Sequence, residues 1–125
     1  MEEGNRWYGV MSPGWPAMLA LGEVAQTPWL VNPLLAAATI LLFASVFRQM
    51  GMSRFEAHLA IVFMALSPFV VFMSASYMAH SASLFWFALF WWGWLRLLQA
   101  GQLRFALVAG VALVCHAMVR PDGVT

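Results

Sequence analysis

Residues 33 to 119 are apolar apart from short breaks, and nearly every polar group in that stretch lies where two hydrophobic runs meet. The runs are Pro33–Phe47, Ala57–Met73, Ala82–Leu95 and Phe105–Val119. With flanking residues added, each approaches the roughly 20 residues that a bilayer core of about 30 Å demands of a helix. The pattern predicts an all-α fold, a polytopic membrane helix bundle of about four transmembrane helices. Ahead of it, Ser12-Pro-Gly-Trp-Pro16 reads as a turn into a short helix, with Pro16 suited to a first helical position. The segment Ala17–Gln26 is too short to span. Trp7, Tyr8, Trp15 and Trp29 are amphipathic aromatics of the kind that gather at headgroup level, so this helix is expected along the outer interface. Pro28 and Pro33 then turn the chain into the bilayer.

Local signals mark the helix ends. Ser53-Arg-Phe-Glu56 has the spacing of a capping box, which starts the second long helix. Gly51 and Gly101 follow the first and third, where a left-handed residue commonly ends a helix. Ser81 or Ser83 can cap the third. Pro68 interrupts the second run and removes a helical hydrogen bond. It either kinks a continuous helix, or opens Phe69–Ala79 into irregular backbone lining a cavity, which a membrane tolerates only where protein or water covers it.

Arginine placement gives the orientation. Arg48 and Arg54 flank the first inter-helix loop, Arg96 and Arg104 the third, and short loops rich in Arg favour the cytoplasmic side. Residues 51–55 and 99–103 are therefore expected inside, and residues 4–12 and 76–81 outside. The chain divides into an extracytoplasmic, interfacial segment over 1–31 and a four-helix transmembrane part over 32–125. Because Arg120-Pro-Asp-Gly-Val-Thr125 stops just as a helix ends, this part reads as incomplete at both ends of a larger domain.

Composition narrows the functional classes. Hydrophobic residues make up 63% of the chain and charged residues 9%, a surface that a soluble domain of this size could not solvate. All six basic residues are Arg, spread along the chain without forming a stripe, which argues against nucleic acid as a partner. The acidic start, Met1-Glu2-Glu3, is unlike a secretory signal peptide. A single Cys115 closes no internal disulfide and forms no multi-cysteine metal site.

Candidate chemistry gathers at the outer end. The stretch Ser74-Ala-Ser-Tyr-Met-Ala-His-Ser-Ala-Ser83 places hydroxyls, a phenol and an imidazole at one junction. Capping accounts for a serine but not for Tyr77 and His80. An imidazole there can move a proton or bind a metal, provided the site is hydrated or lined by protein. His116 lies deeper and fits an interhelical hydrogen bond, while His58, near the inner end, reads as structural. Arg120 and Asp122 stand at the outer end of the fourth helix, where a guanidinium can grip phosphate oxygens or simply anchor at the interface. The aromatic run Phe85–Trp94 covers all sides of its helix and is expected to face lipid.

The order of Tyr8, Ser12-Pro-Gly-Trp-Pro16, Leu21-Gly22, a first long helix ending near Arg48, Leu66-Ser-Pro-Phe69, Ser74-Ala-Ser-Tyr-Met-Ala-His80 and Val119-Arg-Pro121 resembles the polytopic GT-C glycosyltransferases. The resemblance is closest to the bacterial protein O-mannosyltransferase-like and aminoarabinose-transferase-like group. It implies that the 32–125 part belongs to a GT-C-like domain in a bacterial inner membrane. The implied activity moves a sugar from a polyprenyl-phosphate carrier to an extracytoplasmic acceptor by inverting displacement. The family's acidic general base or metal ligand would lie upstream of Met1, so the present chain alone is expected to be inactive. Many relatives carry an Asp where His80 stands here. The resemblance therefore implies an altered site in which His80, Tyr77, Arg120 and Asp122 bind substrate, with Arg6 and Tyr8 beside Trp7 at the sugar entrance. His80 is the candidate ligand for a divalent metal, and Arg120 the clamp on the leaving lipid phosphate. His80 and Arg120 are expected to approach one outer-facing cavity. The alternatives are a transporter, whose path a Pro-broken helix and membrane histidines would line, and a non-catalytic scaffold.

Overall fold

A computed structural model describes residues 13–75 and 79–119. Among these residues the chain is wholly helical, with six α-helices and no strand. Helix α1 covers Gly14–Val24, and one 3-10 turn over Pro28–Leu30 leads into α2, Val31–Gln49. The others are α3 (Arg54–Leu66), α4 (Pro68–Ala75), α5 (His80–Ala100) and α6 (Leu103–Val119). Each predicted run is thus the interior of a helix or, for the second, of a broken pair.

The boundaries follow from side-chain chemistry. Ser53 Oγ accepts the Glu56 backbone N–H at 3.2 Å, and the Ser53 N–H donates to Glu56 Oε2 at 2.8 Å, completing the capping box. Gly51 and Gly101 adopt φ values of +85° and +62°, the left-handed conformation that ends α2 and α5 without a Cβ clash. Ser67 is extended (φ −60°, ψ 124°) and Pro68 opens α4, so the two helices meet at 53°. Proline restricts its predecessor to such a conformation and suits a first helical position. Pro68 thus breaks the run into two helices instead of kinking a continuous one, and residues 76–78 of the Phe69–Ala79 stretch lie outside the described residues. Phe69–Ala75 is regular helix, not irregular backbone.

Two expectations at the start of α5 change. The helix begins at His80 after Ala79, which makes no side-chain cap, so neither Ser81 nor Ser83 is the capping residue. Instead Ser81 Oγ donates to the Met73 carbonyl at 3.3 Å, tying α5 to α4, and Ser83 faces α6. Helix α1 likewise starts two residues before Pro16.

Helices α2 and α5 run parallel. At one end Gln99 Nε2 donates to the Gln49 carbonyl at 3.1 Å, and one turn further in the Trp92 indole donates to Ser45 Oγ at 3.1 Å. The α2–α3 and α5–α6 turns, with their flanking arginines, therefore share one end of the bundle. At the other end Trp15 of α1, Ala82 of α5 and Val119 of α6 form a buried cluster, with Met18, Val31 and Trp86 packed around it. A Cβ on Gly14 would lie 2.7 Å from the Met118 carbonyl oxygen, which shows how closely α1 approaches the end of α6.

What is buried inverts the usual order. The interior holds Ala57, Ala88, Ala109, Ala112 and Gly93, together with Asn32, Thr39, Ser81 and Ser83. Thr39 is only 1% exposed, its hydroxyl donating to the Leu35 carbonyl at 2.7 Å. Large apolar side chains stand outside, among them Leu41, Phe63, Phe72, Leu107 and Val111. The aromatic run of α5 does not face outward alone. Trp92 bonds to α2 and packs edge-on against Phe105, and Trp86 joins the buried cluster.

By length and composition one helix among the described residues, Pro28–Gln49, is long and apolar enough to cross a membrane. The bent pair α3–α4 makes a second if its halves form one span. Helix α5 has 21 residues, about 31 Å at 1.5 Å per residue, but His80, Arg96 and Gln99 lower its apolarity. Helix α6 is apolar and shorter, at 17 residues.

Candidate functional site

Five helices converge on a cavity of about 200 Å³. Ala36 and Thr39 of α2, Met64 of α3 and Phe69 and Met73 of α4 wall one side. Helix α5 contributes His80, Ser81, Ser83 and Phe87, and α6 contributes His116. The break at Ser67–Pro68 is what turns Phe69 and Met73 toward this space, because α4 leaves the line of α3 there.

The two imidazoles differ in their partners. His116 Nδ1 lies 3.0 Å from the Ser83 carbonyl oxygen and 3.3 Å from Ser83 Oγ. A carbonyl only accepts, so Nδ1 donates the bond. This is the interhelical bond expected of His116, made by α6 to α5 across 33 residues of sequence. Phe87 packs beside the same ring, with centroids 6.1 Å apart. His80 Nδ1, in contrast, is buried without a hydrogen-bond partner among the described residues. An orphaned polar atom in an apolar-walled cavity is an energetic liability of about 1–3 kcal/mol unless something fills it. His58 bonds back to the Arg54 carbonyl of its own helix, the structural role expected of it.

Of the predicted substrate-binding residues, His80 is placed in this cavity. Arg6, Tyr8, Tyr77, Arg120 and Asp122 lie outside the described residues, as does Trp7. Arg120 directly follows Val119, which is buried against Trp15 and Ala82 beside the first turn of α5. As a metal site, two imidazoles and two hydroxyls fall short of the three or four ligands that a catalytic or structural zinc takes. Among the described residues no group of three or more His, Cys, Asp or Glu could hold a metal ion. The metal role of His80 therefore gains no ligand set among the described residues.

Sequence reasoning treated His116 and the aromatic run apart from His80, yet His116 and Phe87 line the same cavity. The spacing held a signal for part of this. Ser83 and Phe87 are four residues apart, hence on one helix face with His80. Which residue of α6 meets that face depends on helix packing, and no local pattern encodes it. No family model, curated protein or solved structure matches the chain.

Proposed function

We propose that the chain is a membrane-embedded part of a GT-C-like glycosyltransferase. It sits in a bacterial inner membrane and serves transfer of a polyprenyl-phosphate-linked sugar to an acceptor at the extracytoplasmic face of the cell envelope. The observation that carries the reading is the cavity at the His80 end of a bundle that buries Asn32, Thr39, Ser81 and Ser83 and exposes many large apolar residues. Such an exterior suits lipid, and an interior of Ala, Gly, Ser and Thr is how helices pack without a hydrophobic driving force. At about 200 Å³ the cavity is smaller than the 300–1,000 Å³ typical of drug-sized ligands. It has room for one ring or a short stretch of isoprenoid, with apolar walls for the chain and imidazoles for the polar head. His80 Nδ1 is the atom left to meet that head. Arg120, the residue after buried Val119 in sequence, is the proposed clamp on the leaving phosphate, and Tyr77 and Asp122 are proposed to bind substrate.

The test is photolabelling of the full chain in phosphatidylcholine vesicles by a polyprenyl phosphate bearing a diazirine on its first isoprene units. Adducts on Phe69, Met73 or Phe87, competed away by unlabelled polyprenyl phosphate, are expected. Adducts confined to outward-facing Leu107 and Leu113 would overturn the reading. The competing transporter reading draws on the 53° break at Pro68 beside the cavity. It requires flux of a solute across the same vesicles, which the transferase reading does not.

A further inference from the structure

At the opposite end of the bundle, a second cavity lies open between the last turns of α2 and α5. Its walls carry Arg48 and Gln49 from α2, Arg96 and Gln99 from α5, and Ser45 one turn deeper, with exposed Leu41 extending it toward mid-helix. No carboxylate lines it. The acid nearest in sequence, Glu56, is held by the Ser53 backbone N–H. Two exposed guanidinium groups thus line one space that has no carboxylate among its lining residues, an arrangement that favours an anion between them.

The surrounding bonds are arranged for such a ligand. Arg96 lies over the Trp92 ring, its Cζ 5.7 Å from the centroid, which restricts the guanidinium and leaves its N–H edges free. The Trp92 indole and the Gln49 amide both donate to Ser45 Oγ, at 3.1 and 3.2 Å. Those two bonds occupy the lone pairs of the hydroxyl, so its own proton is left to donate. Gln99 is fixed by its bond to the Gln49 carbonyl. Among the acceptors, Gln49 Oε1 is buried and without a partner among the described residues. The cavity therefore offers two forked cations and a hydroxyl donor to an anion, and one amide oxygen to a hydroxyl.

We infer that this cavity binds the headgroup of an anionic phospholipid, its phosphate between Arg48 and Arg96 and a headgroup hydroxyl on Gln49 Oε1, as phosphatidylglycerol would supply. Arginine forks match phosphate oxygens two at a time. The acyl chains would run along Leu41, which is 72% exposed and continues the cavity on the apolar flank of α2. The inference rests on the membrane part of the proposed function and is independent of the sugar-transfer part. It also accounts for the arginine bias of this end by a local structure, since anionic lipids attract juxtamembrane basic residues.

The experiment is native mass spectrometry of the full chain released from detergent, with phosphatidylglycerol and phosphatidylcholine of matched acyl chains added in equal amount. Wild-type protein should retain phosphatidylglycerol about tenfold to a hundredfold better, the range expected of one or two charge-assisted contacts. The double variant Arg48→Gln, Arg96→Gln should lose that preference while keeping its helical circular dichroism. Arg54→Gln, at the same end but outside the cavity, should keep it. The wild-type comparison stands whether or not the double variant folds, and equal retention of the two lipids would overturn the inference. Displacement of the lipid by inorganic phosphate alone would also overturn it, by assigning the site to a soluble anion. Photolabelling of the His80 cavity reads out separately, so failure at either end leaves the other result intact.

Discussion

Gly93 offers the sharpest test of how the helices are held together, because two known effects of its substitution by Ala have opposite signs. Replacing a mid-helix Gly by Ala favours the helix by about 0.8–1.0 kcal/mol. Gly93 is buried where α5 meets α6, however, and a Cβ there would lie 3.1 Å from the Ala109 amide nitrogen, 3.2 Å from the Phe105 carbonyl oxygen and 3.3 Å from Ala109 Cβ. Two of these atoms are backbone and cannot rotate away, so α6 itself must move. Overpacking of this kind costs about 1–3 kcal/mol, which exceeds the propensity gain over most of its range. The expected net effect of Gly93→Ala is a loss of stability of up to about 2 kcal/mol, the difference of those two ranges. Gly110, next to Ala109 but on the open side of α6, meets nothing within 4 Å, so Gly110→Ala should stabilise by up to about 1 kcal/mol. The assay is thermal unfolding followed by helical circular dichroism at fixed detergent-to-protein ratio, with the two variants beside wild type. Opposite shifts are expected. A midpoint raised by both substitutions would mean that α5 and α6 are not in the close contact described, and the packing argument would fall with it.

Other expectations follow from single bonds. Thr39→Val keeps the shape and removes only a hydroxyl bonded within its own helix, so stability should fall by no more than the roughly 0.5–1.5 kcal/mol of one hydrogen bond. Ser83→Ala should weaken the bundle less than His116→Leu, because His116 Nδ1 keeps the Ser83 carbonyl in the first variant and the bond from α6 to that carbonyl is lost in the second; unfolding midpoints rank the pair. Gln26 holds φ +57° after α1, so Gln26→Gly should raise the midpoint by relieving left-handed strain of about 1–2 kcal/mol, less the added chain entropy of Gly. In a Cys115→Ser background in vesicles, cysteines at Ser53 and Gln102 should react with an impermeant thiol reagent from one side and a cysteine at Gln26 from the other. Reaction of Ser53 and Gln102 from opposite sides would contradict the parallel arrangement of α2 and α5.

Much of the helical layout was legible because its determinants are local. A capping box needs only Ser53 and Glu56 three residues apart, and a helix stop needs only a residue such as Gly51 or Gly101 that tolerates positive φ. The break at Pro68 follows from one missing N–H. The start of α5 was misplaced for the same reason in reverse. Ser81 and Ser83 carry the chemistry of caps, but tertiary partners, the Met73 carbonyl and His116, compete for their hydroxyls. The aromatic run misled because its apolar residues surround α5 completely, leaving no periodicity to say that Trp86 and Trp92 turn inward.

The two cavities show where local reading ends. Arg48 and Arg96 were useful in the sequence only as charges near helix ends, which sets a side but not a distance. They come to line one cavity once α2 and α5 run parallel in register, and that register is made by Ser45 with Trp92 and by Gln49 with Gln99. At the other end His80 and His116 line one cavity, and His116 bonds to Ser83 across the α5–α6 contact. In both places a small hydroxyl on one helix meets a ring nitrogen on its neighbour, one from Trp92 and one from His116. A bundle that exposes its large apolar residues must draw its specificity from such buried polar contacts. Removing Ser45 should therefore disturb the arginine end alone, and removing Ser83 the histidine end alone, because the bonds of each reach only its own end.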